Sequence, residues 1–103
     1  MKTNLMKRIT VVAEALIADQ IIADFRRLGA SGYTTTSVEG KGSRGVRASE
    51  WEGRNVKIET RVSAAVAEKI LNCMAESYFK NYAVIAYAHE VEVIRGEKYG
   101  ALD

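Results

Sequence analysis

A glycine-rich basic stretch near the middle of the chain carries the residue types best suited to bind an anion. Residues 40–47 read Gly-Lys-Gly-Ser-Arg-Gly-Val-Arg and hold three cations and no acid. Glycines let consecutive backbone N–H groups point at one anion, and arginine offers paired donors to phosphate oxygens. The stretch lacks the ending of a Walker loop and the spacing of a dinucleotide fingerprint. It predicts anion binding, with a plain solvated connector as the alternative.

The residue types that enzymes use for nucleophilic or metal chemistry are sparse. His89 is the only histidine and lies beside Glu90, and Cys73 is the only cysteine and lies in an apolar helical pattern. A catalytic triad or a zinc site needs several such residues at matched spacings. We therefore expect no enzyme activity, no bound metal and no internal disulfide.

Two other functions stay open from the residues alone. A ferredoxin-like phosphate-ester hydrolase could use the basic stretch, although acylphosphatases place such a loop after the first strand and here it follows the second. A small RNA-binding module is the other alternative, although the aromatic strand motif that stacks bases is missing.

Length and composition indicate an ordinary folded domain. The chain has 103 residues, a formal net charge of +2, 48% hydrophobic and 27% charged residues. We expect one domain over residues 1–103, and the charge is too small to indicate nucleic-acid binding. No apolar run reaches the ~20 residues of a membrane span, and a single cysteine fits a reducing cytoplasm. Because so small a domain buries little apolar surface, a partner subunit would stabilise it.

The apolar residues change their period along the first half of the chain. Residues 7–13 form a short β-branched stretch that is apolar toward its end, which predicts a strand buried on at least one face. From about Leu16 apolar residues recur at steps of four and three, which predicts a helix that ends at Gly29. Residues 31–38 are rich in threonine and predict a second strand. Residues 39–54 show neither period and are predicted to form one long loop, which we call the central loop.

The second half of the chain repeats the strand and helix patterns. Residues 55–62 alternate apolar and polar side chains, which predicts a half-buried strand. Ser63 is placed to cap a second helix. The apolar face of that helix holds Val66, Ala67, Ile70, Leu71, Met74 and Tyr78. Residues 83–94 predict a last strand, and residues 96–103 are expected to form a flexible polar tail.

This order of elements predicts an α+β fold, the ferredoxin-like βαββαβ sandwich. Four antiparallel strands would carry both helices on one face. The other face of the sheet needs cover, and three sheets packed around an axis would supply it, so we expect a trimer. Tyr33, Ile58 and Val84 are the residues expected to pack between subunits.

Several strings of the sequence resemble the PII-like signalling proteins, and within them the SbtB and carboxysome-associated PII branch. Besides the stretch at 40–47, the similar strings lie at residues 29–34, 55–59, 78–83 and 92–96. The resemblance covers about residues 7–99, and the 40–47 stretch is fairly specific to that branch. It implies the ferredoxin-like fold, with the central loop as the mobile segment that the family calls the T-loop.

The resemblance also implies a function without catalysis. A protein of this kind is a homotrimer that binds adenine nucleotides (AMP, ADP, cyclic AMP, with ATP as a further candidate) and needs no obligatory cofactor. Bicarbonate is a second candidate ligand. The resemblance implies regulation of inorganic-carbon uptake or fixation through a target such as a bicarbonate transporter or carboxysome component, with no role for nucleic acid. It implies a cytoplasmic protein that reaches the membrane or carboxysome through its partner.

By position, the resemblance implies nucleotide contacts from separate segments. Thr34 lies on the second strand, Arg47 near the phosphates, and Tyr82 and Ala83 in the short segment called the B-loop. Arg95 would reach in from a neighbouring subunit. The remaining implied contacts form the base of the central loop: Gly40, Lys41, Gly42, Ser43 and Arg44.

Three departures narrow what the resemblance implies. Residues 78–83 lack the Gly-Asp-Gly-Lys run with which nitrogen-regulatory PII proteins hold polyphosphate, so tight ATP binding and 2-oxoglutarate sensing are not implied. The central loop holds no tyrosine for uridylylation. The tail at 96–103 holds no cysteine, so the redox hairpin of some SbtB proteins is missing.

Overall fold

In the part of the chain that the structure describes, four strands and two helices follow one another in the predicted order. The computed structural model describes residues 1–40 and 54–100. The elements are β1 (Asn4–Glu14), α1 (Ala18–Leu28), β2 (Thr34–Val38), β3 (Asn55–Val62), α2 (Ala64–Ser77) and β4 (Val84–Val93). Short 3-10 turns follow β1 at Ala15–Ile17 and β4 at Gly96–Tyr99. The Ser63 side chain caps α2 by accepting the Val66 N–H at 3.3 Å, as predicted.

The strands form one antiparallel sheet in the order β2-β3-β1-β4. β1 is the central strand that pairs with both β3 and β4, along ladders of eight and ten residue pairs. Both helices pack on one face of the sheet, which confirms the predicted ferredoxin-like α+β fold. Among the described residues, no helix is long and apolar enough to cross a lipid bilayer.

The hydrophobic core lies between the helices and one face of the sheet. Ile9, Val11 and Ala13 of β1 contribute to it, and all three are at most 1% exposed. Ile58 pairs in register with Val11, and Val84 with Ala13. Directly opposed residues share a face, so Ile58 is fully buried and Val84 packs against the core. The expectation that Ile58 packs between subunits is therefore wrong. For Val84, which is half-buried, and for Tyr33, which is exposed, it stays a prediction.

The other side of the sheet, which we call the open face, carries a mixed polar and apolar surface. The Arg8 guanidinium approaches Glu59 at 3.7 Å and donates to His89 Nδ1 at 3.3 Å. Next to this charged row, Ile85 is 57% and Tyr87 42% exposed. The open face therefore supplies apolar surface that the helices do not cover.

Two glycines shape the ends of the elements that surround β1. Gly29 ends α1 at φ 123°, where a side chain is strained, which confirms the predicted helix end. Gly96 is buried against Asn4 at the start of β1. Ser31 Oγ donates to the Lys98 carbonyl at 3.0 Å. Residues 96–99, which belong to the segment expected to form a flexible tail, are thus a 3-10 turn docked on β1. Residues 101–103 lie outside the described residues.

Replacing Gly96 by alanine tests this docking. The added methyl group would overlap Asn4 from Cβ to Oδ1, so rotation of the Asn4 side chain alone cannot relieve the overlap. We expect Gly96→Ala to lower the free energy of unfolding by about 1–3 kcal/mol, as overpacking commonly does. Urea denaturation measures it, with Gly32→Ala as the control because a Cβ at Gly32 meets nothing within 4 Å. Equal stability of the two variants would contradict the docking.

Candidate functional site

One end of the sheet gathers the two ends of the central loop. Val38, the last residue of β2, pairs with Asn55, the first residue of β3. Asn55 in turn lies opposite Glu14, the last residue of β1. Gly40, near the start of the central loop, and Arg54, its last residue, therefore lie close to the end of β1.

The segment before β4 arrives at the same end. β4 begins at Val84, which pairs with Ala13 one residue before the end of β1. Residues 78–83, the predicted B-loop, therefore run up to β1 on the side opposite β3. The register of one strand thus brings together two segments that are more than twenty positions apart in the sequence.

Two hydrogen bonds at the end of β1 hold these segments. Glu14 is 3% exposed, and its Oε2 accepts the Ala83 N–H at 3.2 Å. The next residue, Ala15, donates its N–H to the Arg54 carbonyl at 2.9 Å. Sequence reasoning missed Glu14, because its only signal was a carboxylate at the end of an apolar strand.

The start of the B-loop is fixed by a buried tyrosine. Tyr78 is 1% exposed, and its hydroxyl donates to an Asp24 carboxylate oxygen on α1. Burial first, and then the hydrogen bond to Asp24, raise the pKa of Tyr78 above its ordinary value. The other Asp24 oxygen accepts from Arg27 at 3.1 Å. The Tyr82 ring lies edge-on to the Tyr78 ring at 6.0 Å.

Of the predicted nucleotide contacts, three lie at this end of the sheet and two do not. Gly40, Tyr82 and Ala83 are brought together there. Thr34 begins β2 and lies opposite Glu59, about 13 Å along the strand from Val38 at ~3.3 Å per residue. Arg95 follows β4 at the opposite end of the sheet, roughly 40 Å along the chain from Ala83 by the same rise. Its φ of 64° lies in the left-handed region, which non-glycine residues rarely adopt.

The remaining predicted contacts belong to the central loop beyond its base. Lys41, Gly42, Ser43, Arg44 and Arg47 lie outside the described residues. Within 1–40 and 54–100, no group of three or more metal-ligating side chains comes together. The described part of the site therefore offers backbone groups and a buried carboxylate, and the basic residues of the central loop follow Gly40 in the sequence.

The chain is similar to known proteins in both sequence and fold. The family model described as nitrogen regulatory protein P-II matches residues 6–98. A PII-like signalling protein from Thermus thermophilus is 45% identical, with a TM-score of 0.83 over 96% of this chain and 99% of that chain.

Two structures of CPII from Thiomonas intermedia share the fold at lower identity. One, bound to ADP, AMP and bicarbonate, is 20% identical with a TM-score of 0.83, over 95% of this chain and 96% of that one. The other, bound to ADP, AMP and acetate, is 19% identical with a TM-score of 0.84, over 96% and 98% of the two chains.

Removing the Tyr78 hydroxyl tests how firmly the B-loop start is held. We expect Tyr78→Phe to lower the free energy of unfolding by about 1–3 kcal/mol at pH 7, because the half-buried Asp24 carboxylate loses a donor. Since the pKa of Tyr78 is raised on folding, its contribution is complete below pH ~10 and falls as the pH rises above that.

Urea denaturation at pH 7 and pH 11 measures both effects, with Tyr33→Phe as the control because Tyr33 is 43% exposed. The stability gap between wild type and Tyr78→Phe should narrow at pH 11. A stability gap that is the same at pH 7 and pH 11 would contradict the role of the Tyr78 hydroxyl as a donor to Asp24.

Proposed function

The chain belongs to the nitrogen regulatory protein P-II family, and from this membership we propose that it regulates by binding adenine nucleotides and catalyses no reaction. CPII, which has the same fold, holds ADP, AMP and bicarbonate in its structures, and this supports the ligand class. The 45% identity to the Thermus protein over nearly the whole chain supports its place among the PII-like members.

The observation that carries the proposal is the meeting of the central-loop base and the B-loop at the end of β1. Gly40 and Arg54 lie on one side of Glu14, and Ala83 lies on the other. Three basic residues follow Gly40 within seven positions of the sequence: Lys41, Arg44 and Arg47. Charged donors next to backbone amides are the means by which proteins hold phosphate groups.

The position of Arg95 supports a site shared between subunits. Arg95 and Ala83 stand at opposite ends of one sheet, so Arg95 can reach a nucleotide at the B-loop only from another copy of the chain. The left-handed backbone of Arg95 supports a functional role, since residues with strained backbones cluster at binding and active sites. Three copies whose open faces meet around an axis would bury Ile85 and Tyr87 and bring the two ends together.

The resemblance to the SbtB and carboxysome-associated branch supports a more specific proposal for the second ligand and the target. We propose bicarbonate as a second ligand, held by backbone amides near Gly42 when the nucleotide leaves room. We propose further that the protein regulates inorganic-carbon uptake or fixation through the central loop, with a bicarbonate transporter or carboxysome component as its target.

Calorimetric titration with ADP, AMP, cyclic AMP, bicarbonate and a short RNA tests the proposal as a whole. Nucleotide binding without phosphate release supports a regulatory protein. Steady phosphate release would instead indicate a phosphate-ester hydrolase, and salt-sensitive RNA binding would indicate an RNA-binding module.

The first prediction from this function concerns assembly. We expect light scattering at micromolar protein to give about 34 kDa, three times the chain mass of 11.4 kDa. Ile85→Glu should lower that mass toward the monomer, because it buries a charge on the open face. Ile94→Glu is the matched control, since Ile94 is equally exposed at 57% but lies beyond β4. A monomeric wild type would exclude the shared site.

The second prediction concerns which nucleotide binds best. The three cations and nearby amides of the central loop can satisfy one or two phosphates, at about 1.5–3 kcal/mol for each charge-assisted bond. A third phosphate adds charge with few further donors. We expect AMP, cyclic AMP or ADP to bind at least as well as ATP, and Arg44→Ala to weaken all of them.

The opposing possibility is that Lys80 replaces the B-loop lysine of the nitrogen-regulatory proteins. Titration of the four nucleotides against wild type and Lys80→Ala decides between them. The prediction is wrong if ATP binds more than tenfold tighter than AMP and Lys80→Ala removes that margin.

A further inference from the structure

A buried carboxylate at the end of β1 has no part in the nucleotide contacts that the resemblance implies. Glu14 is 3% exposed, and Glu, unlike an apolar residue, is rarely buried without a partner. The Ala83 N–H is that partner, at 3.2 Å from Oε2. A carboxylate that accepts from a backbone amide forms a charge-assisted bond, which is stronger than a neutral one.

The bond extends the pairing of β1 with β4 by one step. The regular ladder stops at Ala13 and Val84. Beyond that point the Glu14 side chain, in place of a backbone carbonyl, receives the Ala83 N–H. Because Glu14 projects from a strand that is paired on both edges, the carboxylate is a fixed point and Ala83 is the group being held.

The same end of β1 holds the base of the central loop from its backbone. Ala15 donates to the Arg54 carbonyl at 2.9 Å. Two consecutive residues therefore fix the spacing between Arg54 and Ala83, which stand on the two sides of the proposed nucleotide site.

We propose that Glu14 is a positioning residue that sets the B-loop at the distance from the central-loop base that a nucleotide needs. This inference rests on the proposed function. It also implies that the Ala83 amide is occupied within the chain, so Ala83 contacts a nucleotide through its other atoms. The competing interpretation is that Glu14 stands in for a phosphate on that amide and leaves when the nucleotide arrives.

Variants at position 14 separate these interpretations. Glu14→Gln keeps an oxygen acceptor at the same reach, Glu14→Asp keeps the charge but retracts it by one methylene, and Glu14→Ala removes both. Apparent affinity falls with the fraction of molecules whose site is correctly arranged. We expect ADP to bind at least about fivefold more weakly to the Ala and Asp variants, and within about twofold of wild type to Glu14→Gln.

The measurements are calorimetric titration with ADP and amide hydrogen exchange at Ala83 on the full chain. Exchange at Ala83 should accelerate in Glu14→Ala and Glu14→Asp and stay slow in Glu14→Gln. Glu68→Ala, on the exposed face of α2, is the control that should change neither quantity. If Glu14→Ala does not fold, the contrast between Glu14→Asp and Glu14→Gln still decides.

Two results would overturn the inference. The first is tighter ADP binding by Glu14→Ala or Glu14→Asp, which would identify Glu14 as a competitor of the nucleotide. The second is that both variants match wild type in ADP affinity and in the exchange rate at Ala83. A wild-type protein that binds no adenine nucleotide would refute the proposed function instead. In that case the exchange rate at Ala83 still reports whether Glu14 holds the B-loop.

Discussion

The pairing of β1 on both of its edges is the constraint on which the rest of the molecule depends. Its residues Ile9, Val11 and Ala13 build the core beneath the helices, and its two ladders fix where β3 and β4 begin. A shift of either ladder by one residue would turn every core side chain of that partner strand to the open face. The same register decides which loops meet at Glu14, so the core and the candidate site are set by one set of hydrogen bonds.

Much of this architecture is predictable because the local sequence signals favour the same helices and strands that the packed fold contains. Gly29 ends α1 for a conformational reason, Ser63 caps α2, and the bounds of β3 follow from its alternation. The faces of the strands were harder to predict. Ile58 and Val84 are apolar strand residues, and alternation alone does not say which side of the sheet the helices cover. Only the register with β1 assigns them to the core.

The placement of the candidate site was predictable in part. The resemblance led to Gly40, Tyr82 and Ala83, which the fold brings together, whereas their meeting point at Glu14 depends on register that no local pattern encodes. The docking of Gly96 on β1 was missed for a related reason, since a single glycine in a polar segment has no periodicity. Long-range hydrogen bonds of single side chains are thus the part of this molecule that sequence patterns leave out.

The placement of Arg95 and Ala83 at opposite ends of one sheet has a consequence for mixtures of subunits. Under the proposed function each nucleotide site takes its B-loop from one copy and its arginine from another. A trimer assembled from two kinds of subunit, one defective at the B-loop end and the other at Arg95, therefore contains at least one site built from two intact halves. Two inactive proteins would complement one another when refolded together, and the recovered sites would follow the statistics of mixing.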